Sequence, residues 1–137
     1  MKKLISIATA LLLTTSQFAQ AAESAPRDWD GKKPAKVTLI VKKDMMSGYN
    51  VQIRTLNFKW APEHASMAHI AGEGHAHIYV DGVKIGRVYG QWFHLNTASL
   101  NLTSGDHTIL VNLNGNDHRP YVIKGVAVEA KSLIKIS

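Results

Sequence analysis

Short runs of alternating apolar and polar residues, separated by turn residues, recur along most of this chain. Successive side chains of a strand point to opposite faces, so such runs predict half-buried β-strands. The clearest pair of runs flanks Asp81-Gly82, a two-residue turn that hairpins prefer. Further runs cover residues 36–43, 49–60, 92–95, 98–102, 107–113 and 125–136. The pattern predicts an all-β fold, an immunoglobulin-like Greek-key β-sandwich of about seven strands.

The start of the chain predicts export. Residues 1–21 combine two lysines, an apolar run and a closing Ala19-Gln20-Ala21, which is the pattern of a secretory signal peptide cleaved near Ala21. The apolar run is too short to span a bilayer, so we expect a periplasmic protein without a membrane anchor of its own. Residues 22–35 are polar and predict a flexible lead, and residues 36–137 predict a single β-sandwich domain.

The composition excludes several classes of function. The chain has no cysteine, so it can form neither an iron–sulfur cluster nor a blue-copper centre, both of which need a thiolate. The formal net charge is +6, but the basic residues are scattered and are not interleaved with aromatic residues. We therefore expect no nucleic acid as a partner.

All seven histidines lie between His64 and His118. Residues two apart on a strand share a face, so His75 and His77 are predicted to be neighbours. Simple pairing about the turn places Ile78 opposite Ile85 and Ala76 opposite Arg87. It also sets His77 across from Gly86 and His75 across from Val88, which leaves room for an ion beside both rings.

The predicted topology adds histidines from elsewhere in the chain. In such a sandwich the loop after the second strand and the loop before the last strand emerge at the same end. The second strand of the hairpin returns to that end at Tyr89, shortly before His94, whereas His107 begins a strand at the far end and is assigned a structural role. The candidate ligands are therefore His75, His77, His94, His118, His69, Met67 and His64. Asp117 and Glu73 are candidates to accept hydrogen bonds from ligating rings.

Imidazole is a good ligand for copper, zinc and nickel, and affinity in the divalent series peaks at copper. The thioether of Met67 would add softness that favours copper(I). A copper ion is therefore the predicted cofactor, with zinc as the alternative. Imidazoles protonate near their reference pKa, so binding is expected to weaken below about pH 6.

Enzymatic motifs are missing from the sequence. It contains no Gly-x-Ser-x-Gly elbow and no His-Glu-x-x-His pair, and cleavage after Ala21 leaves no histidine at the N-terminus. The pair His75 and His77 is similar to copper ligands of the copper/zinc superoxide dismutases, but their structural disulfide cannot form here. We expect a protein without catalytic turnover.

The middle of the chain carries Gly74-His75-Ala76-His77-Ile78-Tyr79-Val80-Asp81-Gly82, Arg87-Val88-Tyr89-Gly90, Trp92-Phe93-His94-Leu95 and Asn116-Asp117-His118. With these stretches it resembles small secreted bacterial copper-handling proteins of the cupredoxin-like or copper-resistance sandwich type. The resemblance covers residues 72–121, without a cysteine ligand or an N-terminal histidine. It implies a periplasmic copper buffer, carrier or delivery protein whose partners are the ion and a periplasmic copper protein.

A reading from another functional class remains open. The chain would then be a non-catalytic interaction or subunit module whose histidine-rich end binds another protein. Tyr79, Tyr89 and Trp92 would serve as its aromatic anchors. The oligomeric state is not predicted by either reading.

Overall fold

A computed structural model describes residues 24–137, so the predicted signal peptide at residues 1–21 lies outside the described residues. The described part is built from strands joined by turns and two short 3-10 helices, Pro62–His64 and Thr97–Leu100. The strands are β1 (Arg27–Asp28), β2 (Lys36–Lys43), β3 (Tyr49–Leu56), β4 (Lys59–Trp60), β5 (Glu73–Val80), β6 (Val83–Val88), β7 (Trp92–Leu95), β8 (Gly105–Asn114), β9 (Tyr121–Ile123), β10 (Val126–Ala127) and β11 (Glu129–Ile136).

The longer strands form two sheets that pack together as a sandwich. One sheet has the order β2-β3-β7, and the other has the order β11-β8-β5 with β6 beside β5 and the short β4 parallel to its start. Seven strands are long, and in chain order the first, second and fifth of them (β2, β3 and β7) form one sheet. The other four (β5, β6, β8 and β11) belong to the other sheet. This distribution is that of an immunoglobulin-like Greek key, so the predicted fold is confirmed. The strands β1, β9 and β10 form a small third sheet.

The core lies between the two large sheets. Val51 and Ile53 of β3 are fully buried against Ile78 of β5 and Val111 of β8. The apolar alternation of each strand supplies this inner face. The opposite face of β5 is buried as well, because all eight residues of the strand, including both histidines, are buried. An outer face that is covered in this way is unusual for a sandwich strand and marks the position of the site.

The hairpin around Asp81-Gly82 is present, but its register differs from the simple pairing. Val80 pairs with Val83 and Tyr79 with Lys84, after which a bulge shifts the pairing by one residue. His77 therefore faces Arg87 instead of Gly86, and Ala76 faces Val88 instead of Arg87. The correction has a physical cause: one extra residue on β6 reverses the face of every residue after it.

One further segment differs from the sequence prediction, and part of the predicted lead contributes a short strand. Residues 98–102, expected to be extended, lie largely in the second 3-10 helix, where the Asn96 side chain accepts a hydrogen bond from the Ala98 amide. Within the predicted flexible lead, β1 pairs with β9 and the ring of Trp29 packs edge-on against Tyr121. The aromatic contact and the strand pairing hold this part of the lead on the sandwich. Within residues 24–137, no helix has the length and apolarity needed to cross a bilayer.

Candidate metal centre

Three histidine side chains meet on the covered outer face of β5. The Nε2 atom of His75 lies 3.0 Å from Nε2 of His77 and 2.9 Å from Nδ1 of His118. The remaining distance, between Nε2 of His77 and Nδ1 of His118, is 3.4 Å. In the part of the chain that the structure describes, these three residues form the one group that could hold a metal ion, and it contains no carboxylate.

Local backbone features bring the three rings together. His75 and His77 lie two apart on β5, as the alternation predicted. Gly74 lets the start of β5 approach β8, because a Cβ atom there would lie 1.9 Å from the carbonyl oxygen of Asn114. His118 lies in the turn between β8 and β9 with φ of 64°, a left-handed conformation in which histidine is enriched among non-glycine residues. The turn closes through the His118 amide, which donates to the Gly115 carbonyl at 3.0 Å.

The spacing of the three nitrogens suits one ion. An ion about 2.0–2.1 Å from each nitrogen of a tetrahedral site holds those nitrogens roughly 3.3 Å apart. The three observed separations, 3.0, 2.9 and 3.4 Å, need only small side-chain adjustments to reach that value. Three ligands of a tetrahedral ion leave its fourth position for another ligand.

The second nitrogen of each ring has a different environment. Nε2 of His118 lies 2.8 Å from the hydroxyl oxygen of Ser66, which can accept its proton when Nδ1 binds an ion. Nδ1 of His75 is buried without a hydrogen-bond partner among the described residues. Nδ1 of His77 lies 2.8 Å from the ammonium nitrogen of Lys84, which donates to it. His118 is therefore the ring of the three that has a hydroxyl acceptor for the proton opposite its candidate ligand atom.

The electrostatic surroundings keep these imidazoles neutral. Burial, with smaller contributions from nearby positive charges, lowers the pKa of His75 to about 4 and that of His77 to about 3. Burial also lowers the pKa of His118, and Asp117 opposes this effect only weakly. Neutral imidazole is the form that binds metals. The expectation that protons compete below about pH 6 is therefore revised, and competition moves to lower pH.

The structure places the other predicted ligands outside this group. His94 lies on β7 in the other large sheet, where its Nδ1 atom is 3.0 Å from the side-chain oxygen of Asn50. His69 pairs with Asp30 at 2.6 Å, and His64 pairs with Glu73. Met67 is 57% exposed and follows Ser66 in the loop that reaches His118. Of the seven candidates, three histidines are brought together.

The two predicted carboxylate partners are engaged elsewhere. Burial would raise the pKa of Glu73, but hydrogen bonds from Lys59, His64 and Asn116 outweigh it and hold this pKa at about 2. Asp117 forms an ion pair with Arg27 at 2.5 Å. Neither carboxylate accepts a hydrogen bond from a ring of the three-histidine group. Both instead fasten the surrounding segments, Glu73 the loop before β5 and Asp117 the strand β1.

Sequence reasoning missed Ser66, Lys84 and Arg87. Lys84 had a usable signal, because the two-residue turn pairs it with Tyr79 and so places it on the face of His77. Arg87 also had a signal, because regular alternation puts it in the apolar phase of Val83 and Ile85, and a glycine directly before it in a strand often marks a bulge. Ser66 belongs to an irregular loop whose course the sequence does not reveal. Its amide donates to the Asn116 carbonyl at 2.8 Å, which joins the two loops that the topology predicted to meet.

The proposed aromatic anchors do not form one surface around the site. Tyr79 is buried, and Tyr89 packs against His75 with ring centroids 5.7 Å apart. Trp92 is 64% exposed but belongs to β7 of the other sheet.

Comparisons of the chain with protein-family models, with curated proteins and with solved structures found no match. The function must therefore be argued from the chemistry of the site itself. Two properties of that site matter most. Its candidate ligand atoms are imidazole nitrogens, and they lie close enough to one another to share a single ion.

Proposed function

We propose that this protein is a periplasmic copper-binding protein that holds its ion through His75, His77 and His118. It would act as a buffer, a carrier or a delivery protein and would need no catalytic turnover. The single observation that carries the proposal is the convergence of three imidazole nitrogens within 3.4 Å of one another. The predicted signal peptide supports the compartment, and the resemblance to copper-handling sandwich proteins supports the metal.

An ion explains this group better than a purely structural role. Buried polar groups need hydrogen-bond partners, and a buried nitrogen without one costs stability. Three neutral imidazoles that face one another can satisfy only part of their donors and acceptors, and Nδ1 of His75 has no partner among the described residues. A bound ion would take one lone pair from each ring and would convert this unfavourable cluster into a stabilising one.

The donor set favours copper over other ions. Magnesium, calcium and manganese prefer oxygen ligands, and the group offers none. Among ions that accept imidazole, copper(II) binds most tightly at a site without strong geometric preference, with zinc as the main competitor. Met67, exposed next to Ser66, offers a thioether from the same loop if the ion is copper(I).

A metal titration of the mature chain tests the proposal. Copper(II), copper(I) and zinc would each be added against a competing chelator, and the copper(II) form would be examined by electron paramagnetic resonance. We expect one equivalent of copper with hyperfine structure from three nitrogens. The His75→Ala, His77→Ala double variant should lose at least a hundredfold in affinity, an effect on the order of 3 kcal/mol.

His94→Ala is the matched control, because this histidine lies on the other sheet and pairs with Asn50. Its copper affinity should equal that of the wild type. Purified protein that binds neither copper nor zinc, or a double variant that binds as well as the control, would contradict the proposal. If zinc binds more tightly than copper under the same conditions, the proposed site stands and zinc takes the place of copper as the proposed ion.

One observation favours a protein-interaction role as a second candidate, on the other large sheet and not at the predicted histidine-rich end. Met45 and Met46, in the turn between β2 and β3, are almost fully exposed, and Trp92 of the same sheet is exposed too. Exposed methionine and aromatic side chains are typical of protein-binding surfaces. Substitution of Trp92 and Met46 should leave copper binding unchanged in either case, so the two functions can be tested separately.

A further inference from the structure

Two asparagines of β8 lie beside the proposed ligand histidines of β5. Asn114 pairs with His75 and Asn112 pairs with His77, so each asparagine shares the covered outer face with its histidine. Both asparagines are buried, and the exposed fraction of Asn114 is 0%. Asparagine is depleted in strands and is seldom buried, so this pair on a central strand needs an explanation.

The backbone brings β8 especially close to β5 at His75. Gly74 precedes this histidine with φ of 156°, and a Cβ atom at Gly74 would lie 1.9 Å from the carbonyl oxygen of Asn114. Glycine, which has no Cβ atom, permits this approach. Residues directly opposite in an antiparallel pair have Cβ atoms about 4.5–5.5 Å apart, a distance that the side chains of histidine and asparagine can span. Asn114 is therefore within reach of the His75 ring.

The amide of Asn114 is hydrogen-bonded at only one of its two ends. Its Nδ2 atom donates to the carbonyl oxygen of Asn112 at 3.1 Å and to Oδ1 of Asn112 at 2.7 Å. The reverse orientation of this amide would place an acceptor against these two oxygens, so the bonds assign the nitrogen to this end. Oδ1 of Asn114 is buried and accepts no hydrogen bond from the described residues. A buried acceptor without a donor costs stability.

The ring of His75 has the complementary deficit. Its Nδ1 atom is buried and has no hydrogen-bond partner in the described part of the chain. When Nε2 binds an ion, the neutral ring carries its single proton on Nδ1, which makes this atom a donor. The ring would then hold a donor without an acceptor, directly opposite the acceptor of Asn114 that has no donor. One hydrogen bond between the two atoms would satisfy both.

A second asparagine offers a rival acceptor, but its position does not suit the ring. Asn116 is the other residue whose side-chain oxygen is buried without a donor among the described residues. It lies in the turn after β8, where its Nδ2 atom donates to Glu73 at 3.2 Å. Among the buried side chains that the structure describes, Asn114 alone combines a free oxygen with the position opposite His75.

We propose that Asn114 is a positioning residue of the metal centre, whose Oδ1 atom accepts the Nδ1 proton of His75 when Nε2 of that ring binds the ion. The inference rests on the proposed function and adds the residue that orients one of its ligands. The hydrogen bond would fix the tautomer and the orientation of the ring and would make Nε2 a stronger ligand. The ring stays neutral throughout, and no electron is transferred.

Copper(I) titration of Asn114 variants against a competing chelator tests this inference. Asn114→Leu keeps the size of the side chain and removes the acceptor, so we expect copper affinity to fall by about tenfold. Asn114→Asp retains an acceptor oxygen and should recover the affinity of the wild type. Asn112→Leu is the matched control, because it breaks the same asparagine pair on the same face but leaves the oxygen of Asn114 in place. Its affinity should stay near that of the wild type.

The diamagnetic copper(I) form also gives a readout that a purely structural role would not change. Proton–nitrogen NMR should show a proton on Nδ1 of His75 that is shifted downfield, exchanges slowly with water and contacts side-chain protons of Asn114. In Asn114→Leu this resonance should move upfield and exchange faster, whereas in Asn112→Leu it should not change. The wild-type spectrum alone tests the inference if Asn114→Leu does not fold.

The outcomes separate this inference from the proposed function. If the wild type binds neither copper nor zinc, the proposed function fails and the inference falls with it. If copper binds equally well to the wild type and to Asn114→Leu, the inference is overturned and the metal site stands. An equal loss of affinity in Asn112→Leu would also overturn it, because the asparagine pair would then support the strand and not the ring. So would a copper(I) form in which the Nδ1 proton of His75 has no contact with Asn114.

Discussion

The two ends of the strand pair β5 and β8 both carry histidines, and they treat them in opposite ways. At one end, His75 and His77 meet His118 with no carboxylate in the group. At the other end, His107 lies 2.6 Å from a carboxylate oxygen of Asp81 and 2.8 Å from the Thr103 carbonyl. The hydrogen bond to Asp81 raises the pKa of His107, whereas burial lowers the pKa of His75 and His77.

This difference shows that the hydrogen-bond partners of a histidine, and not the residue type, decide whether it serves the fold or a ligand site. His107 has an acceptor for each ring nitrogen, so its bonds are complete within the fold and a structural role fits it. The rings of His75, His77 and His118 have mainly one another as hydrogen-bond partners. Their arrangement becomes favourable when something binds between them, which is what a ligand site requires. Four experiments test whether the histidines at the two ends differ in this way.

The largest effect should be stabilisation by the metal. A ligand that binds only the folded state adds about 5.5 kcal/mol to the free energy of unfolding when its free concentration is about ten thousand times its dissociation constant. We expect this increase with copper for the wild type and for His107→Ala, and no increase for the double variant His75→Ala, His77→Ala. Denaturant unfolding with and without copper measures it. Equal gains in all three proteins would abolish the contrast between the two ends.

The next effect concerns the metal-free protein in acid. The unfolded chain takes up protons near pH 6.5, while His75 and His77 stay neutral in the fold until about pH 4 and 3. Stability should therefore fall as pH drops from 7 to 5, by about 2 kcal/mol for each imidazole that stays neutral. His75→Leu should remove one such contribution and flatten the slope.

The interval between pH 7 and 5 matters for this measurement. Glu73 keeps its charge there, because its pKa in the fold is about 2 and its contribution is lost only as the pH falls below its ordinary value. The slope in this interval then reports histidines. Chemical unfolding at several pH values gives the slope, and a wild-type profile that is flat across the interval would show that the clustered rings are not shielded from protons.

Much of the fold and part of the site follow from local pattern. The period of two places apolar residues such as Ile78 and Val111 inside, and it also puts His75 and His77 on one face without any further information. His118 could be nominated because the topology brings its loop to the same end. These predictions succeed because strand geometry is regular, so sequence spacing converts directly into position.

The features that the sequence did not predict depend on competition between side chains for partners and on irregular backbone. His64 and His69 lie in a loop at the predicted end of the sandwich but pair with Glu73 and Asp30, respectively. No spacing rule says which acidic residue a histidine will contact. His94 pairs with Asn50 because β7 joins the sheet of β3, a choice that its sequence does not express. The bulge that turns Arg87 outward leaves a break in the alternation, because Arg87 falls in the phase of Val83 and Ile85, but the break does not say at which residue the pairing shifts.

A smaller effect should follow from the ring partner of His118. Ser66 accepts a hydrogen bond from Nε2 of this ring when Nδ1 binds an ion. Ser66→Ala would leave that proton without its partner, and loss of such a contact weakens metal affinity by about tenfold. Copper competition titrations measure the change. Ser99→Ala, whose hydroxyl donates to the Asn96 carbonyl far along the chain, is the control and should bind normally.

The smallest effect should come from the opposite end of the sheet, and its pH dependence should have the opposite sign. Asp81 accepts from the Thr108 amide at 2.9 Å and has φ of 49°, a conformation that asparagine tolerates, so Asp81→Asn removes mainly the charge.

The raised pKa of His107 means that the pair of His107 and Asp81 stabilises the fold below pH 6.5 and loses this contribution as pH rises through the shifted value. The lowered pKa of Asp81 means that the contribution also fades when acid protonates the carboxylate. Asp81→Asn should therefore be destabilising near pH 5.5 and close to neutral at pH 9, by a modest amount because Asp81 is 46% exposed. A deficit that grows toward pH 9 would show that Asp81 acts through the turn and not through His107.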